Sequence, residues 1–293
     1  MKKNNLKKIT ECLKNDRMLK EMKYNTIVIS GGGVKGVAML GALQYLKNAN
    51  MLDSVEKYIG TSIGAILSLL MILEEEPSAI IVNFVTKKTF KNLKSYSLVQ
   101  AFQGKGLLKF EKLQIILEEY ILKKFEKIPT LAELYEKYPK KLYCMTFNYT
   151  KNKEEVLSVD TYPDMLVTDA IRMSANVPII FENFTYNDCL YFDGFLVNNF
   201  PIHLLEKDDT CLGIQTRWED TREKHSSNWK IFWNLFLVPL AKIQDLKNEP
   251  FLNQSNIISI NLQNYSLFDF KISNSLMLDL FSEGFSAAKE LIS

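Results

Sequence analysis

Two strand-turn-helix units follow one another in the first quarter of the sequence, and both turns are rich in glycine. The first unit joins a β-rich run at 26–29 to an apolar helix at 37–46, and the second joins residues 55–59 to a helix at 63–73. Helices that are apolar almost all round are buried. Short strands that alternate with such helices predict a parallel sheet covered on both faces, which is an α/β fold.

Further elements extend this pattern along the chain. Thr130 and Glu133 have the spacing of a capping box at a helix start. Apolar periodicity predicts a hairpin at 184–192, strands at 141–147, 156–159, 211–215 and 257–260, and helices at 110–125, 163–173 and 277–292.

Composition narrows the class of protein. The 293 residues are enough for one large domain or two small ones, and 47% hydrophobic with 24% charged residues is ordinary for a globular protein. A net charge of +2 does not favour a nucleic-acid binder. The cysteines at 12, 144, 189 and 211 form no CxxC motif, so we expect reduced thiols and neither a metal nor a cofactor.

The first residues are more basic than the rest. Residues 1–24 carry eight basic and three acidic side chains with a loose apolar stripe, which predicts a basic helical extension before a domain over 25–293. The sequence has no run of ~18 apolar residues and no apolar signal-peptide segment near its start. We therefore expect a cytoplasmic protein.

The first glycine-rich turn is the segment GGGVKG at 31–36. Its glycines match the GxGxxG pattern of dinucleotide-binding loops, with Asp53 as a candidate ribose ligand. It is not a Walker A loop, because Lys35 precedes the last glycine and no Ser or Thr follows. Backbone N–H groups at a helix N-terminus bind any anion, either a pyrophosphate or the oxyanion of acyl transfer. This motif alone leaves both interpretations open.

The second turn, Gly60-Thr61-Ser62-Ile63-Gly64, has the GxSxG pattern of a nucleophile elbow. It stands between a strand and an apolar helix, where an elbow lifts the serine hydroxyl above the sheet. A serine that only caps the helix is the structural alternative. The position after a glycine-rich anion loop favours Ser62 as a nucleophile, with Gly60 and Gly64 shaping the turn.

A serine nucleophile needs a base within hydrogen-bond reach. Asp193 and Gly194 lie in a turn, where an aspartate is ordinarily only a turn residue. A triad of Ser62, Asp193 and His203 would have the chain order of an α/β-hydrolase, although the elbow there follows more strands. His203 opens a predicted helix, which favours a surface or capping role, and His225 lies in a polar loop.

Together the three motifs resemble the patatin-like phospholipase family, also called patatin-like acyl hydrolases. That family joins a GGGxKG loop, a GxSxG elbow and a downstream Asp-Gly turn in this order. The resemblance covers about residues 26–216, leaves 217–293 as a C-terminal portion of helices and a strand, and includes GKGLL at 104–108, TLAEL at 130–134 and AIRMSANVP at 170–178. It implies a three-layer α/β/α fold with a mainly parallel central sheet, and a lipid acyl hydrolase of the phospholipase A or lysophospholipase type.

The resemblance also implies roles for individual residues. Ser62 would be the nucleophile and Asp193 its general base, in a dyad without histidine. The oxyanion hole would be the glycine-rich loop, formed by Gly31, Gly32, Gly33, Lys35 and Gly36. Two positions depart from the family pattern, since Phe195 follows Asp-Gly in place of glycine or alanine, and Met173 stands where a small residue is common. Phe195 is therefore a candidate for the acyl pocket.

An aromatic segment at 229–238, ended by Pro239, leads to a prediction about membranes. Aromatic rings with polar handles favour membrane interfaces, although they are also ordinary core residues. We predict peripheral, reversible contact with the bilayer that supplies the lipid substrate, made by Trp229, Phe232, Trp233 and Phe236.

Two alternatives to the hydrolase stay open at this point. A dinucleotide-binding oxidoreductase would use the glycine-rich loop but leaves the GxSxG elbow unexplained. A catalytically silent lipid-binding protein would keep the fold, and the presence of both Ser62 and Asp193 argues against it.

Overall fold

The computed structural model describes residues 23–86, 108–217, 228–262 and 273–292. Its strands are β1 (Thr26–Ile29), β2 (Lys57–Thr61), β3 (Lys141–Asn148), β4 (Lys153–Leu157), β5 (Phe184–Tyr186), β6 (Cys189–Asp193), β7 (Cys211–Arg217) and β8 (Asn256–Asn261). Its α-helices are α1 (Gly36–Asn48), α2 (Ile63–Ile72), α3 (Pro77–Thr86), α4 (Glu111–Leu122), α5 (Leu131–Lys137), α6 (Val167–Ser174), α7 (Asn228–Leu252) and α8 (Asn274–Ile292). Short 3-10 turns occupy Gly33–Lys35, Gly194–Leu196 and Ile202–Leu204.

The described strands form one mixed sheet. Its order is β5-β6-β3-β2-β1-β7-β8, and β4 also pairs with β3. Every pairing among β3, β2, β1, β7 and β8 is parallel, whereas the pairings that involve β4, β5 and β6 are antiparallel. The parallel centre with helical connections confirms the predicted α/β class.

Alternate residues of the central strands enter two different cores. Ile27 and Ile29 of β1 belong to the main core, which they share with α1, α2 and α8. Val28, between them, packs on the opposite face with Phe200, and Phe251 of α7 covers that cluster. A period of two is expected for strands that are buried on both faces. The sheet is therefore the middle of three layers, as predicted.

Helices α1 and α8 cross with their backbones in contact. A Cβ atom added at Gly41 would collide with the carbonyl oxygen of Phe281, and one added at Gly284 would lie 2.5 Å from the carbonyl carbon of Ala38. Residues with a Cβ atom cannot approach so closely. The crossing fixes α8 against α1, whose first turn continues the glycine-rich loop.

Some predicted boundaries match the observed elements, and others move. β1 begins and ends where predicted, and the capping box is formed, since Thr130 Oγ1 accepts from the Glu133 N–H at 3.1 Å. The helix predicted at 163–173 begins only at Val167, because Leu166 is held in a β-bridge to Thr130. Pro239 does not end the aromatic segment, because α7 continues through it.

Two predicted strands are displaced along the chain. The strand predicted at 55–59 is Lys57–Thr61, because its pairing with β1 begins at Lys57. The strand predicted at 156–159 is Lys153–Leu157, because it forms a hairpin with β3. Its first residues are exposed and polar, so an apolar pattern does not reveal them.

Three of the four cysteines lie in the described part of the chain. Cys144, Cys189 and Cys211 are buried and free, as predicted. Cys12 lies outside it, as do residues 1–22 of the predicted basic extension, which stays a prediction. None of the helices among the described residues has both the length and the apolar character needed to cross a bilayer.

Candidate active site

Strand β3 brings two distant parts of the chain together. β2 pairs with the first part of β3 and ends with Thr61 opposite Met145. β6 runs in the other direction and ends with Asp193 opposite Thr146, the next residue of β3. β3 lies between β2 and β6, so the carboxyl ends of these two strands flank adjacent residues of β3. Ser62 directly follows Thr61, and its side chain lies near enough to the Asp193 carboxyl to affect its pKa.

Ser62 occupies a sharp turn between β2 and α2. Its φ of 57° and ψ of −123° lie where side-chain-bearing residues are rare, and such strain is concentrated at functional sites. A Cβ atom at Gly60 would collide with the first turn of α2, and one at Gly64 with the end of β1, so the turn needs both glycines. The Ser62 N–H donates to Ser174 Oγ at 3.1 Å, and the Ser174 hydroxyl donates to Met145 O at 2.7 Å. Ser174 thus fixes the elbow to β3.

The Asp193 carboxyl is fully buried at the end of β6. Its Oδ1 accepts from the Phe195 N–H at 2.8 Å, while Oδ2 has no hydrogen-bond partner among the described residues. Burial raises the pKa of the Asp193 carboxyl to about 7, against the opposing effects of the Ser62 side chain and the Phe195 N–H. Ser62 lies near enough to lower this pKa, although it makes no hydrogen bond of standard geometry with Oδ2. A carboxyl with a near-neutral pKa and one free oxygen is suited to accept a proton.

Hydrogen bonds occupy some, but not all, of the N–H groups in the glycine-rich loop. The Gly31 N–H donates to Asn199 O at 2.9 Å, and the Lys35 N–H donates within the loop at 3.0 Å. The Gly36 N–H also turns back into the loop. The N–H groups of residues 32–34 have no acceptor in the described part of the chain. The candidate oxyanion donors therefore narrow to these three groups.

The Lys35 side chain does not line the cavity above Ser62. Its Nζ lies 3.5 Å from Leu262 O, just after β8, and burial lowers the pKa of this amine. Because its N–H is also occupied, the structure does not place Lys35 among the donors to an oxyanion, where the sequence predicts it.

Two amide side chains that carry no motif signal connect the loops of the site. Asn199 accepts from the Gly31 N–H through its backbone oxygen, and its Nδ2 donates to Gly31 O at 3.2 Å. Gln244 of α7 accepts from the Asn199 N–H at 3.0 Å and donates to Phe195 O at 2.5 Å. Helix α7 therefore holds both the glycine-rich loop and the segment that follows Asp193.

His203 is engaged away from Asp193. Its Nδ1 lies 2.7 Å from Asn198 Nδ2, and its Nε2 lies 3.5 Å from Glu154 Oε1. The His203 ring and the Lys247 ammonium lower the pKa of the Glu154 carboxyl to about 2. The side chain is 11% exposed, so His203 is more buried than the predicted surface or capping role implies. Among the described residues, no hydrogen bond joins His203 to Asp193. The contact between histidine and aspartate that a Ser62-Asp193-His203 triad requires is therefore not formed.

A cavity of about 680 Å³ opens over Ser62 and the glycine-rich loop. Phe195, one of the two departures from the family pattern, is part of its lining. One region of the wall is apolar and comes from α1, α2 and α4, with Val37, Leu40, Ile63, Ile66, Leu67, Leu70 and Leu113. Another region, from the end of β7, α7 and the loop before the third 3-10 turn, carries polar side chains, namely Asn199, Gln215, Thr216, Gln244, Asp245 and Asn248.

Other predicted groups lie elsewhere or outside the described structure. Asp53 is exposed and precedes β2, at the amino end of the parallel strands, whereas the glycine-rich loop follows the carboxyl end of β1. A ribose ligand of this loop would have to lie at the carboxyl end. The backbone at 229–236 belongs to α7, but the side chains of Trp229, Phe232, Trp233 and Phe236 are outside the description. Within the described ranges, no three His, Cys, Asp or Glu side chains cluster as metal ligands would.

Comparisons with known proteins identify relatives of this chain and of its fold. The family model of patatin-like phospholipases matches residues 27–206. Probable lipid hydrolase 463L of Invertebrate iridescent virus 6 is 32% identical over 266 residues, which are 86% of this chain and 87% of that protein. The uncharacterized protein YqhO of Bacillus subtilis is 26% identical over 281 residues, 88% of this chain and 94% of its own. VipD from Legionella pneumophila superposes with a TM-score of 0.53 over 92% of this chain and 67% of its own, and at 16% identity it shares the fold.

Proposed function

The chain belongs to the patatin-like phospholipase family and is a lipid ester hydrolase, and from this premise we propose that Ser62 is its nucleophile and Asp193 its general base. The observation that carries the proposal is that β2 and β6 end on the two sides of β3, opposite adjacent residues of that strand. It leaves a buried carboxylate, with one oxygen unpaired among the described residues, beside a serine on a strained turn. Nucleophile and base are thus held by the sheet itself.

The first half of the reaction forms an acyl-enzyme. Asp193 Oδ2 takes the proton of Ser62 Oγ while Oγ bonds to the ester carbonyl carbon, and the carbonyl π electrons move onto oxygen. The free N–H groups of residues 32–34 stabilise that oxyanion, and one such donor is typically worth ~100- to 1000-fold in rate. When the tetrahedral intermediate collapses, the bond from carbon to the leaving oxygen breaks, and Asp193 returns its proton to that oxygen.

The second half releases the fatty acid. Water enters the position of the departed alcohol, gives a proton to Asp193 and attacks the acyl carbon through the same oxyanion site. Collapse of this second intermediate breaks the bond to Ser62 Oγ, which recovers the proton from Asp193. The apolar wall beside Ser62 accommodates the acyl chain, since Ile63, Ile66 and Leu70 follow the nucleophile along ~10 Å of α2.

Covalent labelling by a fluorophosphonate probe tests the nucleophile directly. We expect Ser62→Ala to abolish labelling, because the probe phosphonylates only an activated hydroxyl, with loss of fluoride. Asp193→Asn should slow labelling strongly, since the hydroxyl loses its base. His203→Gln keeps an acceptor for Asn198 and should label at close to the wild-type rate. Labelling that persists in Ser62→Ala would refute the assignment, and labelling lost in His203→Gln would favour the triad.

We also propose that helix α7 rests on a lipid bilayer. Leu235, Ile243 and Leu246 expose 71%, 65% and 69% of their surface on one side of this helix. Leu240 and Gln244, on its other side, line the cavity above Ser62. An exposed apolar helix face of this kind binds at the membrane interface. In this orientation a lipid would pass from the bilayer beside α7 into the cavity.

Flotation with phosphatidylcholine vesicles tests this contact. We expect the double variant Leu235→Ser, Leu246→Ser to lower the vesicle partition coefficient by about tenfold or more, because burial of one leucine contributes ~1.5–3 kcal/mol. Ile115→Ser with Leu122→Ser is the matched control, since these two residues are 50% and 49% exposed on α4. Equal flotation of the two double variants would contradict the proposal.

A further inference from the structure

Helix α7 turns two buried amide side chains toward the loops of the active site. Gln244 and Asn248 lie about one helical turn apart and are 8% and 6% exposed. Asn248 exchanges two hydrogen bonds with the Asn198 side chain, at 2.7 and 3.0 Å. Gln244 accepts from the Asn199 N–H at 3.0 Å and donates to Phe195 O at 2.5 Å. Both amides therefore hold the same short segment of the chain.

That segment is bound in turn to the elbow and to the glycine-rich loop. Thr61, directly before the nucleophile, donates from Oγ1 to Asn198 O at 2.9 Å. Asn199 forms two hydrogen bonds with Gly31, since its O accepts from the Gly31 N–H at 2.9 Å and its Nδ2 donates to Gly31 O at 3.2 Å. A Cβ atom on Gly31 would lie 2.3 Å from Asn199 Oδ1 and 3.4 Å from Ser62 Cβ. Gly31 is therefore packed closely against both Asn199 and the nucleophile.

The candidate oxyanion donors begin at the residue after Gly31. The N–H groups of residues 32–34 have no acceptor in the described part of the chain. The end of the loop is fixed by a bond of its own, in which the Lys35 N–H donates to the carbonyl oxygen of residue 32 at 3.0 Å. The start of the loop is fixed from outside, by Asn199. The position of the free N–H groups relative to the nucleophile therefore depends on Asn199, which Gln244 holds.

A second buried glutamine separates this role from that of a buried amide in general. Gln44 of α1 is also 8% exposed, and its Oε1 accepts from the Ser78 N–H at 2.7 Å. Gln44 does not line the cavity above Ser62, whereas Gln244 does. The two glutamines are alike in burial, and each accepts from a backbone N–H, but only the partner of Gln244 is bound to the glycine-rich loop. A comparison of the two therefore tests position within the site.

We propose that Gln244 is a positioning residue of the oxyanion hole, which acts through Asn199 to hold the N–H groups of residues 32–34 at the reacting carbonyl oxygen. The inference rests on the proposed function, because it takes Ser62 as the point of attack. Such donors act only at hydrogen-bond distance from the oxyanion, and a displaced donor loses part of the ~100- to 1000-fold that it is worth. Helix α7 thus contributes to the rate of acyl transfer as well as to the proposed lipid contact.

Kinetics on a monomeric, water-soluble ester separates positioning from substrate binding. For Gln244→Leu, which removes the amide but keeps most of the side-chain volume, we expect kcat to fall at least about tenfold, with KM within about twofold of the wild-type value. A trifluoromethyl ketone bonds to Ser62 Oγ, whose proton passes to Asp193, and its carbonyl oxygen becomes an oxyanion. Its Ki should rise by about the factor by which kcat/KM falls. Gln44→Leu removes an equally buried amide and should change neither kcat nor Ki.

A second variant tests the path through Asn199. Asn199→Ala removes the bond from Nδ2 to Gly31 O, and it should lower kcat and raise Ki in the same way. The double variant with Gln244→Leu should lose less than the product of the two single losses, because both changes act on one loop. Asn199→Ala is the smaller change, so it carries the test alone if Gln244→Leu does not fold.

Four results would overturn the proposal. They are an unchanged kcat in the folded variants of Gln244 and Asn199, a loss that appears in KM alone, an equal loss of kcat in Gln44→Leu, and single losses that multiply in the double variant. None of these results affects the proposed function, which fails only if ester hydrolysis does not depend on Ser62.

Discussion

Asp193→Asn is expected to lower kcat/KM for ester hydrolysis by roughly a thousandfold or more while the protein stays folded. Asparagine keeps the shape of the side chain and can still accept from the Phe195 N–H, but it cannot take the proton of Ser62. Loss of a general base typically costs ~100- to 10,000-fold, and loss of a residue from a coupled catalytic pair can cost more. Steady-state kinetics on a soluble ester, with circular dichroism as the control for folding, measures the effect.

The pH dependence of the wild-type enzyme should report the same carboxyl. Burial raises the pKa of Asp193 to about 7, and only the ionised form is a base. We therefore expect kcat/KM to rise with pH through a midpoint near 7 and then level off. The residual activity of Asp193→Asn should lack this rise. A rising limb with its midpoint near 4, the ordinary pKa of an aspartate, would contradict the buried base.

The same substitution should stabilise the fold at alkaline pH. Because the folded pKa of Asp193 is raised from 3.8 to about 7, ionisation disfavours the folded state. Wild-type stability should fall as pH rises from about 4 to about 7, and then stay level. At pH 8 we expect Asp193→Asn to have a free energy of unfolding up to ~4 kcal/mol higher than wild type, with the difference vanishing near pH 4. Denaturant unfolding at both pH values checks this, and an equal effect at both would refute it.

Gly284→Val is expected to have the largest effect on stability. The Cβ atom of valine would enter the backbone of α1 at Ala38, so α8 must move away. Valine is a better helix former than glycine, so any loss must come from packing between the helices. We expect a loss of about 3 kcal/mol or more in the free energy of unfolding, and a Tm lower by about 10 °C.

Thermal unfolding of two further variants, one on each helix, isolates the contact between α1 and α8. Ser286→Val introduces the same side chain at an exposed position of α8 and should change the Tm little. Gly41→Val places the clash on the other helix and should resemble Gly284→Val. A Tm for Gly284→Val close to that of Ser286→Val would show that the two backbones do not need this close approach.

Local patterns predict much of the fold because they depend on neighbouring residues alone. The strand at Thr26–Ile29, the elbow at Ser62 and the capping box at Thr130 all follow from a few consecutive side chains. The pairing of β6 with β3 cannot be predicted in this way, because backbone hydrogen bonds between strands do not require particular residues in either strand. For this reason the motifs single out Ser62 and Asp193, but their juxtaposition is visible only once the register of β3 is known.

The supporting residues of the site were harder to predict for a different reason. Gln244 and Asn199 are common residue types within an ordinary helix and an ordinary loop, and no spacing distinguishes them. Conversely, the GGGVKG motif predicts more donors than the loop provides, because hydrogen bonds within the loop and to Asn199 occupy several N–H groups. Partner choice depends on tertiary contacts, which a single sequence does not contain.

One strand, β3, sets the positions of both side chains of the proposed dyad. This determines which insertions in the chain would leave the dyad intact. The separation of Ser62 from Asp193 depends on two consecutive positions of β3, Met145 and Thr146. Insertions in the connections between residues 73 and 140 lengthen the chain without altering that separation. A change in the length of these connections would therefore leave the distance across which the proton moves unchanged.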